Sequence, residues 1–173
     1  AVETSDISAF STASVRGFNT AAVTALTSDQ IGALSTAQVA ALGTNQVAVL
    51  TTDQIVALSS NQVAALSSTQ FAALNTSQLS SMVTADLAAT TSAQIAALNT
   101  AQTAALTTDQ IGVISTTSLR ALNTNDVAAL TTDQIVALNS AQVGALTTAQ
   151  IGALNTKQVA AIETGDIGAL STA

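Results

Sequence analysis

The side chains best suited to bind a ligand are carboxylates, and they recur at fixed places in the chain. Asp53 with Asp29, and Asp126 with Asp133, could each pair across neighbouring repeats and supply oxygen ligands to calcium. All ten acidic residues also lie in or beside the first turns of predicted helices, where the helix dipole favours negative charge. We therefore interpret the acids as stabilising helix starts, and we expect no resident metal and no cofactor.

Serine and threonine form the most regular polar pattern in the chain, because one of them stands at every eighth position from residue 4 to residue 172. If neighbouring repeats stack, these hydroxyls form straight ladders. One role for a ladder is structural, with the hydroxyls satisfying backbone groups; the other is to bind an ordered surface such as ice or polysaccharide, and burial of the side chains would exclude it. The candidate ladder residues are Thr52, Thr76, Thr100 and Thr132.

The composition leaves few groups for catalysis. The 173-residue chain contains no histidine and no cysteine, which removes imidazole bases, thiol nucleophiles and the commonest transition-metal ligands. A net charge of −7 with only three basic residues disfavours nucleic acid, because phosphate binding needs a basic surface. No apolar run is long enough to span a bilayer. We expect a non-enzymatic protein that binds no nucleic acid and does not insert into membranes.

An unbroken eight-residue repeat must position these side chains. From Val2 to Leu170, every eighth residue is apolar except Thr90, and a Ser, Thr or Asn usually follows it. Glutamine commonly stands three residues after that polar residue, as in Thr51-Thr52-Asp53-Gln54. This spacing is a capping box, which marks the start of a helix, and apolar residues on both sides of it add a hydrophobic staple. Each octad therefore predicts one helix start.

One continuous helix cannot accommodate this period. Eight residues rotate the apolar stripe by about 80° at each repeat, so the chain must break once in every octad, and we predict helices of the extent of residues 52–58. The competing interpretation is a β-solenoid, but period-two alternation is missing and alanine is abundant. The sequence therefore predicts an all-α fold, a tight α-solenoid that forms a single continuous array over residues 1–173.

A longer repeat suggests how many helices form one coil. Residues 51–58, TTDQIVAL, recur unchanged at 131–138, so ten octads form a block of about 80 residues. Because ten divides by two and not by three, we predict two helices in each 16-residue coil.

Both ends of the chain look like the interior of an array, since AVETSDISAFSTA at 1–13 closely matches AIETGDIGALSTA at 161–173. Solenoids normally end in atypical capping repeats. Two mutually compatible ends predict either head-to-tail stacking of copies into a filament or one piece of a longer array. The residues expected to make end-to-end contacts are Phe10, Phe18, Ile167 and Leu170.

Two resemblances extend this interpretation. LTTDQIVAL at 50–58 resembles the first-helix segment of transcription activator-like effector repeats, which implies a helix start and no DNA-binding function. The ALTTAQIGAL-type octads, quoted from residues 145–154, are similar along the whole chain to octapeptide-repeat regions of large secreted bacterial surface proteins and adhesins. This resemblance implies a structural role at the cell surface or outside the cell.

Overall fold

Each octad forms one short α-helix. The structure, a computed structural model, describes residues 3–172 and contains no strand in that range. The predicted all-α solenoid is therefore confirmed, and the β alternative is wrong. The elements are α1 (Thr4–Ile7), α2 (Thr12–Arg16), α3 (Thr20–Ala25), α4 (Ser28–Gly32), α5 (Thr36–Ala41), α6 (Thr44–Ala48), α7 (Thr52–Val56), α8 (Ser60–Ala65), α9 (Ser68–Ala72), α10 (Thr76–Ser81), α11 (Thr84–Ala88), α12 (Ser92–Ala96), α13 (Thr100–Ala105), α14 (Thr108–Val113), α15 (Thr116–Ala121), α16 (Thr124–Ala129), α17 (Thr132–Val136), α18 (Ser140–Ala145), α19 (Thr148–Ala153), α20 (Thr156–Ala161), α21 (Thr164–Ile167) and the 3-10 helix η1 (Gly168–Thr172).

The predicted capping box starts most of these helices. At α7 the backbone N–H of Gln54 donates to Oγ1 of Thr51 at 3.2 Å, and the backbone N–H of Thr51 donates to Oε1 of Gln54 at 2.9 Å. Thr51 is extended, with φ −72° and ψ 161°. The pair satisfies two N–H groups that a helix start otherwise leaves without acceptors.

The helices end without any left-handed residue, since no residue between 3 and 172 has a positive φ. The chain instead passes through two extended residues, such as Leu66 (φ −63°, ψ 135°) and the next N-cap, Ser67 (φ −66°, ψ 159°). Both lie close to polyproline II geometry. The predicted extent of residues 52–58 is too long, because α7 ends at Val56 and the apolar residue at 58 belongs to the extended link.

Three helices, not two, make one coil. Each helix packs against the helices three before and three after it, as α12 does with α9 and α15. Equivalent residues in neighbouring coils are therefore 24 positions apart, and the prediction of two helices in a 16-residue coil is wrong. The solenoid has three faces: face A carries α1, α4 and every third helix to α19, face B carries α2 to α20 in the same way, and face C carries α3 to α21.

Two apolar side chains from each octad fill the axis of the solenoid. In the octad that contains α7, these are Ile55, within the helix, and Leu58, in the link that follows. The equivalent positions in the other octads are buried from end to end, and they form one continuous hydrophobic cluster. A third buried residue accompanies them at the glutamine position, and this residue is polar.

Candidate functional site

The glutamine side chain binds two coils at once. In α7, Oε1 of Gln54 accepts from its own helix start, while Nε2 donates to the carbonyls of Val23, at 3.0 Å, and Leu26, at 2.7 Å. Val23 lies in α3, and Leu26 in the link that follows it, so these carbonyls belong to the coil beneath. One buried amide therefore satisfies a helix start in one coil and a helix end in the next.

The same link recurs along the whole solenoid with constant register. Nε2 always donates to the carbonyl 28 residues earlier, in the extended link of the preceding coil, at 2.6–2.9 Å. The residues that make this bond are Gln38, Gln46, Gln54, Gln62, Gln70, Gln78, Gln94, Gln102, Gln110, Gln134, Gln142, Gln150 and Gln158. Sequence reasoning found their capping role and missed this link between coils.

One signal in the sequence did mark the link. The octads of the first coil carry Asp6, Ser14 and Ala22 where later octads carry glutamine. Three consecutive octads without the amide are one coil of 24 residues. A comparison of this position among octads therefore points to a coil of three helices.

Inside the solenoid the amide is missing at α11, α15, α16 and α21, where Asp86, Ser118, Asp126 and Asp166 stand in its place. All four are buried. At three of these positions a serine from the start of a helix in the coil beneath binds the shorter side chain. Oγ of Ser60 donates to Oδ1 of Asp86 at 2.6 Å, Ser140 donates to Asp166, and Ser92 contacts Ser118 at 3.4 Å.

Two of these carboxyls are held in an unfavourable environment. Burial raises the pKa of Asp86, and the hydrogen bond from Ser60 offsets this rise in part. Burial likewise raises the pKa of Asp126, and a hydrogen bond from the Asn123 backbone opposes it. Oδ2 of Asp86 is buried and has no hydrogen-bond partner. Desolvation without a compensating donor is the cause, because it disfavours the charged form.

The four ladder threonines are all exposed, but they do not form a single line. Thr52, Thr76 and Thr100 begin α7, α10 and α13, so they stand in one column on face A. Thr132 begins α17, on face B. With helices packed about 8–10 Å apart, the hydroxyls within a column are about that far from one another. Their exposure leaves the hypothesis of surface binding open.

The two candidate calcium pairs differ in the structure. Asp29 and Asp53 are exposed and lie one coil apart on face A, in α4 and α7. Asp126 and Asp133 are not brought together in this way, because Asp126 is buried in α16 on face A, whereas Asp133 is exposed in α17 on face B. Within residues 3–172 there is no group of three or more His, Cys, Asp or Glu side chains that could hold a metal ion.

The predicted end-to-end residues lie at opposite ends of the stack. The rings of Phe10 and Phe18 meet edge to face, with centroids 5.5 Å apart, and they line a largely apolar groove of about 450 Å³ on the first coil. At the other end Ile167 is 52% exposed and Leu170 is half-buried. Equivalent side chains between the two ends are covered by the neighbouring coils.

Comparison with known proteins identifies the octads. A family model described as ALTTAQ repeat matches residues 1–36, 31–60, 80–116, 112–140 and 135–161. No curated protein and no solved structure matches the chain. Among the described helices, none is long and apolar enough to cross a membrane.

Proposed function

Because the chain belongs to the ALTTAQ repeat family, whose model matches most of its length, we propose that it is a non-enzymatic structural rod. It serves either as the subunit of a head-to-tail extracellular filament or as part of the shaft of a surface adhesin. The observation that carries the proposal is the glutamine link, which joins each coil to the one beneath it from Gln38 to Gln158. Three helices in each coil give seven coils, and at about 9 Å per coil the rod is about 60 Å long.

The absence of enzymatic activity is part of this proposal and rests on composition. A chain without histidine or cysteine lacks the side chains that most often act as bases and nucleophiles near neutral pH. The serines and threonines recur once in every octad, where helix capping already accounts for them. The surface location rests on the resemblance to secreted repeat regions.

The two forms of the proposal differ in how copies of the chain meet. Asp6, Ser14 and Ala22 leave the first coil without side-chain amides, so a junction between copies could not repeat the glutamine link. It would rest on apolar contacts, with Phe10 and Phe18 of one copy packed against the Ile167 end of another. Such a heterologous contact does not close on itself, and it extends into a filament.

Sedimentation velocity over a wide concentration range, with negative-stain microscopy of the same samples, tests the filament form. We expect the wild-type protein to lengthen with concentration and the double variant Phe10→Ser, Phe18→Ser to remain monomeric. Val136→Ser is the matched control, because Val136 is an exposed apolar residue, 48% accessible, in a central coil. Monomeric wild-type protein at every concentration would refute the filament and leave the shaft.

The rod itself is tested by small-angle scattering on the monomeric double variant. A particle about 60 Å long, with a narrow distribution of distances across its short axis, is the expected result. A flexible chain or a globular particle of equal axes would reject both forms of the proposal, because each needs stacked coils.

A second function is supported by the exposed threonine column on face A, which could bind ice or a polysaccharide. The three-helix coil provides a sharp test. The triple variant with alanine at Thr52, Thr76 and Thr100 removes hydroxyls and methyls from face A alone, while alanine at Thr36, Thr84 and Thr132 does the same on face B. Thermal hysteresis or glycan retention that falls only in the face A variant would support binding. Equal values in wild type and both variants would reject it.

A further inference from the structure

We propose that Asp86 and Asp126 make two joints between coils proton-dependent, because a protonated carboxyl can donate to the link carbonyl that a glutamine amide binds elsewhere. Glutamine carries this donor at every pH, whereas an ionised aspartate carries none. The inference concerns residues that the proposed rod does not require, since glutamine at both positions would build the same solenoid.

The geometry at Asp86 supplies an unsatisfied acceptor on each side of the joint. The 28-residue register places the carbonyl of Leu58 opposite Asp86, as it places Leu50 opposite Gln78. Asp86 is 3% exposed, Oδ1 accepts from Ser60, and Oδ2 has no partner. An ionised Oδ2 that faces a carbonyl oxygen is repelled by it, whereas a protonated Oδ2 can donate to it.

The aspartate side chain is one methylene shorter than glutamine. Donation to the carbonyl of Leu58 therefore requires α11 and the link before α8 to approach by about one C–C bond, roughly 1.5 Å. The protonated joint is closed and the ionised joint is open. The N-cap of α11 is Val83, which offers no side-chain acceptor, so this helix start has little else to hold it.

Asp126 repeats the arrangement on another face. It is buried in α16, and the register places the carbonyl of Leu98 opposite it. Asn123 supplies its N-cap bond, because the backbone N–H of Asp126 donates to Oδ1 of Asn123 at 3.0 Å, and Nδ2 of Asn123 donates to Oδ2 of Asp126. No serine donates to Asp126 from the coil beneath, where Thr100 is exposed.

Few other charges lie near these carboxyls. The helix α11 packs against α8, which carries no titratable residue, and against α14, whose only charged residue is the exposed Asp109. The helix α16 packs against α13 and α19, neither of which carries a charged residue. The protonation of each buried aspartate is therefore governed by its own joint.

The direction of the pH dependence follows from the raised pKa values. Below about pH 3.8, the ordinary value of the carboxyl, the aspartates are protonated in both the folded and the unfolded chain. As the pH rises from there through the higher folded pKa, the unfolded chain loses its protons first, and the folded chain loses stability. The two joints are thus tighter in acid than at neutral pH.

Amide hydrogen exchange of the full chain at pH 4.5 and pH 7.5, with correction for intrinsic exchange rates, tests the proposal. In wild type we expect protection in α11 and α16 to fall about tenfold for each pH unit by which the folded pKa exceeds the unfolded one. Asp86→Asn should remove this dependence in α11, and Asp86→Gln should also raise protection at pH 7.5. Asp53→Asn, at an exposed position, is the control and should behave as wild type.

The proposal is overturned if wild-type protection in α11 and α16 is the same at both pH values, or if Asp86→Asn keeps the wild-type dependence. Titration of the wild-type carboxyl carbons by NMR gives an independent result that needs no variant to fold. Ionisation of Asp86 and Asp126 at or below pH 3.8 would also overturn it. Asp126→Asn repeats the exchange test at the second joint.

Discussion

Replacing Gln78 by glutamate tests whether the side-chain amide, and not the shape of the side chain, joins the coils. Gln78 is 1% exposed. Its Oε1 accepts from the backbone of Asn75 at 2.7 Å, and Nε2 donates to the carbonyls of Val47 at 3.0 Å and Leu50 at 2.7 Å. Glutamate keeps the acceptor and the volume but loses both donated bonds.

The expected cost follows from these bonds. Two lost hydrogen bonds destabilise the fold by about 1 kcal/mol each, and the buried charge adds about as much again, which gives about 3 kcal/mol at pH 7. Burial raises the pKa of the new carboxyl, so the unfolded state releases its proton first and the cost grows as the pH rises. In acid the protonated side chain regains one donor, and the cost should fall to about 1 kcal/mol.

Hydrogen exchange is the suitable assay, because in a solenoid each coil contacts only its neighbours and the damage stays local. Protection should fall in α6, α7 and α10 and remain unchanged in α18 and beyond. Asn125→Asp is the control, since it makes the same chemical change at an exposed position and should alter stability by less than about 0.5 kcal/mol. A cost no greater than that of the control would refute the role of the amide.

Three further changes test other parts of the structure. Thr103→Val should stabilise the protein by about 1 kcal/mol, because Oγ1 of Thr103 is buried without a partner and valine removes it; a lower midpoint in urea would contradict this. Phe71→Ala should cost about 3–5 kcal/mol, since Phe71 is fully buried, whereas Phe71→Leu should cost less than about 1.5 kcal/mol; equal costs in urea titrations would argue against close packing there. Ser60→Ala removes the donor to Oδ1 of Asp86, so the carboxyl titration of Asp86 should move to higher pH, and a downward shift would contradict the assigned bond.

Sequence reasoning succeeded where the determinants are local. The capping box of Thr51 and Gln54 and the staple around it lie within one octad, so spacing alone predicted where each helix begins. The end of each helix was placed too late, because an apolar residue such as Leu58 fits either a last helical turn or a buried extended link. Only the position of the next coil decides between them, and that position is not a local property.

The number of helices in a coil could not be obtained from the octad, since every octad satisfies the same local rules. The role of Gln54 between coils was hidden for a related reason: its capping function already explained its presence. The exposure of the four ladder threonines, by contrast, is compatible with either of the roles that the sequence left open. Long-range pairing and the use of a surface are the parts that local spacing leaves undetermined.

The block of about 80 residues acquires a physical meaning from the three-helix coil. Three coils account for 72 of these residues, and the remaining eight are one helix, so each new block begins one face further around the solenoid. The pair Asp29 and Asp53 lies on face A, and its counterpart, Asp109 and Asp133, lies on face B. An array built from such blocks presents its repeated features in turn on all three faces. That arrangement suits contacts from every side of a rod, and it disfavours a single flat binding surface that runs its whole length.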